Sequence, residues 1–327
     1  MRAVIAMQDR TPGLIIHTIP VLFPTTHSAF LAEFHSSLRS IPRHPGQKVS
    51  VLIDAIASLP GVVLPWEEMV RVCREEGAWS VVDGAHQLGQ VPLDLHGVDP
   101  DFWTANAHKW LLSKRASGVM YVPKRNQHLI QISLPISSGY VSPHDEHPAA
   151  VGAARFTKLF EYTGTIDYVP LLSIGPALDF LASLGGEVRI NAYCHTLALQ
   201  GGALVAEILG TSLLDPTGEW TANMTNVLLP LSLPELGAKE AHALVYRLAE
   251  ELADERDVMV NVFGHGGRWW VRMCAQVWNE MSDFEKAGWA LKDLCARLNA
   301  QETGAPAAPG APAAELEEEV RQISVKA

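Results

Sequence analysis

The chain has 327 residues, enough to bury a large core, and its 48% hydrophobic content is that of an ordinary globular enzyme. Its formal net charge of -11 argues against nucleic acid or an anionic membrane as a partner, and no run approaches the roughly 20 apolar residues of a membrane span. The four cysteines lie far apart without CxxC spacing, so we expect reduced thiols in the cytoplasm, with no disulfide framework and no metal site.

Predicted strands and helices alternate up to about residue 210, which is typical of a parallel sheet with crossover helices. The strands predicted from short apolar runs are 14–22, 49–53, 79–82, 101–105 and 118–122. The helices predicted from apolar residues at helical spacing are 28–38, a segment from Pro65 that ends at Gly77, 171–184 and 189–209. Residues 133–163 are rich in Pro, Ser, His and Gly and predict a long functional or disordered loop.

The rest of the chain changes character. It predicts strands at 227–231, 258–263 and 269–274, with a helix at 239–254. Ser282-Asp283-Phe284-Glu285 indicates a capping box that begins a helix reaching about residue 298. The predicted organisation is a large α/β domain (1–210), a smaller α/β domain (211–300) and an Ala/Pro-rich, acidic, flexible tail (301–327).

Polar residues that can carry chemistry follow two neighbouring predicted strands. Asp83 ends one apolar run, His86 follows three positions later, and His108-Lys109 comes after the next run. Residues just past the carboxyl ends of neighbouring parallel strands converge on one crevice, so an anion, an imidazole and an amine should surround one small molecule. An amine beside a carboxylate that can hold a pyridinium nitrogen is what pyridoxal phosphate chemistry requires.

Simpler explanations remain open for each of these residues. A lysine after a strand is more often a solvated rim residue, and a nucleophilic Lys109 needs a pKa several units below about 10.4. Asp83 could cap a helix or form a salt bridge, whereas only the cofactor interpretation needs His86 beside it. The cluster 144–147 (His-Asp-Glu-His) could bind a metal, but a solvated loop is the simpler explanation. The sequence has no GxGxxG, GxxxxGK[ST], HExxH or GxSxG motif, so nicotinamide, ATP, zinc-protease and serine-hydrolase chemistry have no support.

The motifs resemble those of class V aminotransferases, which are fold type I pyridoxal phosphate enzymes, and especially the fungal isopenicillin N epimerase-like and hercynylcysteine sulfoxide lyase-like members. The matching stretches are 53–61, 82–90, 101–111, 121–125, 163–168 and 270–279. The resemblance implies a large domain with a mainly parallel sheet and a smaller C-terminal α/β domain. Family members carry an N-terminal segment with a phosphate cup before the equivalent of Leu14, so we expect a large domain that is incomplete at its N terminus.

The resemblance also implies roles around the cofactor. Lys109 would form the internal aldimine with pyridoxal 5'-phosphate and then shuttle the substrate's Cα proton. Asp83 would hold the pyridinium nitrogen, His86 would hydrogen-bond the ring hydroxyl, and His108 would contact the phosphate. Lys109 and His86 are therefore the expected catalytic residues.

Three further residues have implied roles. Ser58 would approach the cofactor ring or the substrate, and Thr165 would reach the phosphate of the opposite subunit, which implies a homodimer. Arg272 would clamp the substrate carboxylate through its guanidinium, although a strand arginine paired with an acidic residue is an equal alternative.

The expected activity is that of a pyridoxal phosphate enzyme acting on an amino acid or a cysteine derivative. Transamination, epimerisation and C–S cleavage share one carbanion, so the common residues do not choose among them. The stretch 123–128 favours the lyase or epimerase branch. The alternative is a truncated, catalytically impaired homologue that serves as a binding or dimerisation module. A dehydrogenase-like α/β protein is disfavoured because the chain lacks a phosphate-binding glycine loop.

Overall fold

The computed structural model describes residues 2–131, 133, 153–161, 164–231 and 238–303. The elements in chain order are α1 Arg2–Arg10, α2 His27–Ser40, β1 Ser50–Asp54, α3 Trp66–Glu75, β2 Trp79–Asp83, α4 Leu95–Val98, β3 Phe102–Asn106, β4 Gly118–Tyr121, a 3-10 turn Gln127–Leu129, α5 Ala153–Glu161, α6 Val169–Leu172, α7 Ile174–Ser183, α8 Gly186–Leu209, β5 Met224–Leu228, α9 Ala238–Arg256, β6 Asn261–His265, β7 Arg268–Cys274 and α10 Met281–Thr303. Backbone contacts divide the chain into one unit of Met1–Cys194 with Glu219–Ala222 and another of His195–Gly218 with Asn223–Ala327. The predicted domain bounds at 210 and 300 stay a prediction.

The first unit contains a four-stranded sheet in the order β1-β2-β3-β4. β1, β2 and β3 are parallel, and their register places Asp54 opposite Asp83 and Asp83 opposite Thr104. The carboxyl ends of three strands therefore lie at one edge. β4 is antiparallel to β3, because a parallel neighbour needs a crossover of about a dozen residues or more and the connection is only residues 107–117. The four strands predicted between residues 49 and 122 are found.

The predicted helix after Pro65 packs on this sheet. Trp66, Met69, Val70 and Cys73 of α3 are buried, because the spacing of three and four residues puts them on one helix face. The helix contacts β1 and β2. Gly77 follows the helix with a φ of +65°, the left-handed conformation that glycine adopts most readily at a helix end.

A hydrogen-bonded carboxylate joins the start of β3 to its neighbours. Asp101 Oδ2 accepts from Ser80 N at 3.0 Å, and Asp101 Oδ1 accepts from Asn126 Nδ2 at 2.9 Å and from Arg125 at 3.2 Å. Burial alone raises the pKa of Asp101, but the hydrogen bonds from Ser80, Asn126 and Arg125 outweigh it and hold that pKa below its usual value. The ionised carboxylate therefore stabilises this end of the sheet.

The predicted strand at 14–22 is wrong, since those residues form no strand. Residues 14–22 lie in none of the ladders of the described sheets, and β-branched composition alone does not make a strand. The predicted loop 133–163 contains helix α5. The predicted helix 171–184 is interrupted at Ser173 between α6 and α7, because the ring of Pro176 would clash with the carbonyl of residue 172 in a continuous helix.

The second unit contains an antiparallel sheet in the order β5-β7-β6. The strand predicted at 227–231 lies earlier, at β5, and the one predicted at 258–263 begins later, at β6. The predicted capping box is shifted as well. Helix α10 begins at Met281, and the Asp283 carboxylate accepts from Glu280 N at 3.0 Å, so the helix is capped before Ser282.

Within the described ranges, no single helix is both long and apolar enough to cross a bilayer; only the bent pair Val169–Ser183 and Gly186–Leu209, at 72°, meets the length and composition together. The same ranges hold no cluster of three or more His, Cys, Asp or Glu arranged for a metal ion. The cluster 144–147 and the predicted tail beyond residue 303 lie outside the described residues.

Candidate active site

Two carboxylates end neighbouring parallel strands. Asp54 closes β1 and Asp83 closes β2, directly opposite each other in the register. Partial burial and the negative charge of Asp83 raise the pKa of Asp54 above its usual value. The strand ends thus hold a concentration of negative charge that a bound cation would relieve.

Asp83 keeps one oxygen available at this edge. Its Oδ1 accepts from Ala85 N at 2.8 Å, which forms the turn after β2. In the described part of the chain, no donor is bonded to Oδ2. Gly84 lets the turn approach β3 closely, because a Cβ there would lie 2.7 Å from Trp103 Nε1. The second oxygen of Asp83 is therefore suited to a protonated ring nitrogen.

The amine of Lys109 meets the ring of His86. Lys109 Nζ lies 3.1 Å from His86 Nε2, and Trp110 Nε1 donates to His86 Nδ1 at 3.1 Å. His86 is buried, with 9% of its surface exposed, and its carbonyl accepts from Gln90 Nε2 at 2.6 Å. Lys109 is half-buried. The turn after β2 and the loop after β3 thus bring together an imidazole and an amine that lie 23 positions apart in sequence.

Tight turns hold the loop that carries Lys109. Ala107 N donates to Ser117 O, and Ser113 N donates to Ala107 O, both at 3.2 Å. His108 Nδ1 donates to the same Ser117 carbonyl at 3.2 Å. Gly89, with a φ of +82°, lies against the loop, since a Cβ there would be 2.7 Å from the Trp110 carbonyl. The positions of Lys109 and Trp110 therefore depend on backbone contacts from both turns.

Comparison with known proteins identifies the family. A family model described as Aminotransferase class-V matches residues 37–266. The chain belongs to this family. An L-cysteine desulfhydrase-like protein of Epichloe uncinata is 33% identical over 312 residues, which cover 86% of this chain and 69% of that protein. Hercynylcysteine sulfoxide lyase of Schizosaccharomyces pombe is 32% identical over 285 residues, covering 86% and 67%.

The fold is that of solved structures of this kind. The apo structure of a cysteine desulfurase from Thermococcus onnurineus NA1 superposes with a TM-score of 0.61 at 18% identity, covering 84% of this chain and 65% of that one. The chain thus spans about two-thirds of the length of the proteins it matches. The predicted resemblance and the fold type I architecture are confirmed, and the class V aminotransferase family depends on pyridoxal phosphate.

The described residues of this class V aminotransferase homologue fit pyridoxal phosphate. Lys109 has an amine beside a ring nitrogen of His86, and Asp83 has an oxygen that could accept from a protonated ring nitrogen. His108, half-buried next to Lys109, is suited to the phosphate because a protonated imidazole donates from both nitrogens.

The other predicted site residues lie on separate segments. Ser58 is exposed in the turn after β1, and Thr165 is exposed just before α6. Arg272 lies on β7 in the second unit, where it hydrogen-bonds the thiol of Cys274. The roles of these three residues stay predictions.

Two site residues were not predicted as such. Asp54 ends β1 as Asp83 ends β2, and equal apolar runs closed by aspartate were a signal for this pair. Trp110 follows Lys109 directly in the chain. Its hydrogen bond to His86 has no signal in the sequence, because it depends on how the loop after β3 turns back towards β2.

Proposed function

We propose that this chain is a pyridoxal phosphate-dependent lyase that cleaves the C–S bond of cysteine or a cysteine derivative. The observation that carries the proposal is the 3.1 Å contact between Lys109 Nζ and His86 Nε2. His86 lies in the turn that begins at Asp83. The names of two relatives, an L-cysteine desulfhydrase-like protein and a hercynylcysteine sulfoxide lyase, support a sulfur-containing substrate.

Pyridoxal phosphate, when bound, withdraws electrons from the bonds at the substrate Cα. Asp83 would hold the protonated ring nitrogen, and the single N–H of His86, which faces Lys109 in the cofactor-free chain, would donate to the ring hydroxyl. Lys109 would hold the group through its amine, and as a free amine it would take the substrate's Cα proton at Nζ. His86 keeps the Lys109 amine directed into the crevice.

The proposed reaction balances without an oxidant. The Cα proton passes to Lys109 Nζ, and the Cβ–S bond breaks with its electron pair leaving on sulfur. The sulfur then takes up a proton and departs as a thiol, or as hydrogen sulfide from cysteine itself. Water hydrolyses the remaining three-carbon fragment to pyruvate and ammonia.

Further residues complete the proposal. His108 binds the phosphate, Ser58 approaches the ring, and Arg272 clamps the substrate carboxylate through its guanidinium. Thr165 reaches the phosphate of a second copy, so the enzyme is a homodimer in the cytoplasm. The residues next to Thr165 support a partner surface, since Val169 is 49% exposed and Leu172 is 73% exposed, more than apolar side chains usually are.

The first experiment maps the lysine. The full chain is incubated with pyridoxal phosphate, reduced with borohydride, digested and analysed by mass spectrometry for phosphopyridoxyl-lysine. We expect the label on Lys109 and a visible absorbance band that Lys109→Ala lacks. Lys114→Ala, an exposed lysine in the same loop, should keep both. A label elsewhere, or an unchanged band in Lys109→Ala, contradicts the assignment.

The second experiment identifies the reaction. L-cysteine and S-substituted cysteines are supplied, and pyruvate, ammonia and released thiol are measured. We expect equal amounts of the three products. Exchange of the Cα hydrogen with solvent without pyruvate release would instead indicate the epimerase branch. A folded chain that takes up no cofactor would indicate the impaired binding or dimerisation module.

A further inference from the structure

Trp110 is bonded to the same histidine that contacts Lys109. Its indole Nε1 donates to His86 Nδ1 at 3.1 Å, while His86 Nε2 lies 3.1 Å from Lys109 Nζ. Trp110 is 7% exposed and His86 is 9% exposed, so solvent does not compete strongly for this pair. The three side chains form one chain of hydrogen bonds, from indole to imidazole to amine.

The indole end fixes where the proton of His86 lies. An indole N–H can only donate, so His86 Nδ1 must accept and carries no proton. An imidazole keeps at least one proton, which is therefore on Nε2. Nε2–H then donates to Lys109 Nζ, and an ammonium group has no lone pair with which to accept. Within this chain of hydrogen bonds, Nε2–H can donate only to a neutral amine on Lys109.

We infer that Trp110 is a positioning residue that fixes the tautomer of His86 and so holds the lone pair of Lys109 available for condensation with an aldehyde. Without the indole N–H, Nδ1 can carry the ring proton. Nε2 then becomes an acceptor, and its natural partner is the protonated lysine. One buried hydrogen bond thus selects between the reactive amine and the unreactive ammonium.

The carboxylates near this chain of hydrogen bonds favour the ammonium form of Lys109. Asp83 and Asp54 lie at the ends of β2 and β1, and negative charge near an amine favours its ammonium form. His108 adjoins Lys109 in the chain and, when protonated, disfavours the ammonium. The hydrogen bond from Trp110 therefore acts against the carboxylates, and its removal should shift the balance measurably.

The tautomer can be measured directly on the full chain freed of bound cofactor. In two-bond nitrogen–proton correlation spectra of a chain with 15N-labelled histidine, we expect His86 Nδ1 to be pyridine-like and Nε2 to be pyrrole-like. Trp110→Phe keeps an aromatic side chain but removes the indole N–H donor. It should abolish the preference of His86 for the Nε2–H tautomer. Trp103→Phe is the matched control. It removes a buried hydrogen bond of 2.8 Å that the indole of Trp103, on β3, donates to Gln87. It should leave His86 unchanged.

The reactivity of Lys109 gives a second measurement. The rate at which an amine-selective acylating reagent modifies Lys109 is followed against pH by mass spectrometry. Because Trp110→Phe removes one hydrogen bond, it should raise the apparent pKa of this reaction by about 0.7 unit, an about fivefold slower modification at lower pH. Trp103→Phe should show the wild-type profile.

Two results would overturn the inference. One is a pyrrole-like Nδ1 in the wild-type chain, which needs no variant to fold. The other is an equal shift in both tryptophan variants, which indicates a general packing effect. The role in condensation rests on the proposed function, but the tautomer does not: if Lys109 takes no label from pyridoxal phosphate while His86 keeps the Nε2–H form, the proposed function fails and the inference about Trp110 stands.

Discussion

Replacing Gly89 with alanine tests whether the turn after β2 positions the loop that carries Lys109. Gly89 has a φ of +82°, and an alanine Cβ would lie 2.7 Å from both the carbonyl carbon and the carbonyl oxygen of Trp110. A backbone group cannot move aside as the end of a flexible side chain can. The loop must therefore shift, and it would carry the indole of Trp110 and the amine of Lys109 with it.

Gly77 is the matched control. It also has a left-handed backbone, with a φ of +65°, but an added Cβ there meets nothing within 4 Å. Both substitutions share the cost of an alanine in this conformation, about 1–2 kcal/mol. Gly89→Ala adds the cost of the clash, about 1–3 kcal/mol on the scale of overpacking. The difference between the two variants therefore isolates the contact with Trp110.

Urea unfolding and borohydride labelling measure the two consequences. We expect the free energy of unfolding to fall by about 1–3 kcal/mol more for Gly89→Ala than for Gly77→Ala, with both glycines in the same unit of the chain. Labelling of Lys109 should fall in Gly89→Ala and persist in Gly77→Ala. Equal destabilisation with equal labelling would show that the turn does not position the loop.

Three further predictions concern titration. Burial and the charge of Asp83 raise the pKa of Asp54, so the folded state loses stability as pH rises from the ordinary aspartate pKa to the raised one. Asp54→Asn should therefore stabilise the chain at pH 7 and lose that gain in acid. Urea unfolding at several pH values measures this, and a stability at pH 7 no higher than wild type would contradict it. The lowered pKa of Asp101 has the opposite effect on stability. The ionised carboxylate stabilises the fold above the ordinary aspartate pKa, and this stabilisation is lost as pH falls through the folded pKa. Asp101→Asn should therefore lower the free energy of unfolding by about 1–3 kcal/mol at pH 7 and by much less in acid. Burial raises the pKa of Cys73 and of Cys295 to about 12, so a thiol reagent at pH 8 should modify them only after denaturant is added, and rapid modification of the native chain would show that these thiols are accessible.

The sheet of the first unit was predictable because its signals are local. Apolar runs closed by aspartate or by the His-Lys pair mark the strands and their carboxyl ends, and α3 has buried residues at helical spacing with Gly77 after its end. Residues 14–22 show the limit of this reasoning. Their β-branched composition is as favourable as that of β1, but a strand forms only where a neighbour supplies hydrogen bonds, and composition does not show neighbours.

The site shows the same division between what is local and what depends on packing. That Asp83, His86 and Lys109 belong together follows from strand ends that share an edge, which a sequence reveals. The state of the lysine does not follow from that, because the same three residues with the other histidine tautomer would hold an ammonium. Trp110 selects the tautomer through its hydrogen bond to His86. It lies in a loop where Leu112 has a φ of +65°, a backbone conformation that the presence of a leucine does not indicate. The sequence motif therefore specifies which groups meet, and the turn geometry around Gly89 and Leu112 determines which of them carries the proton.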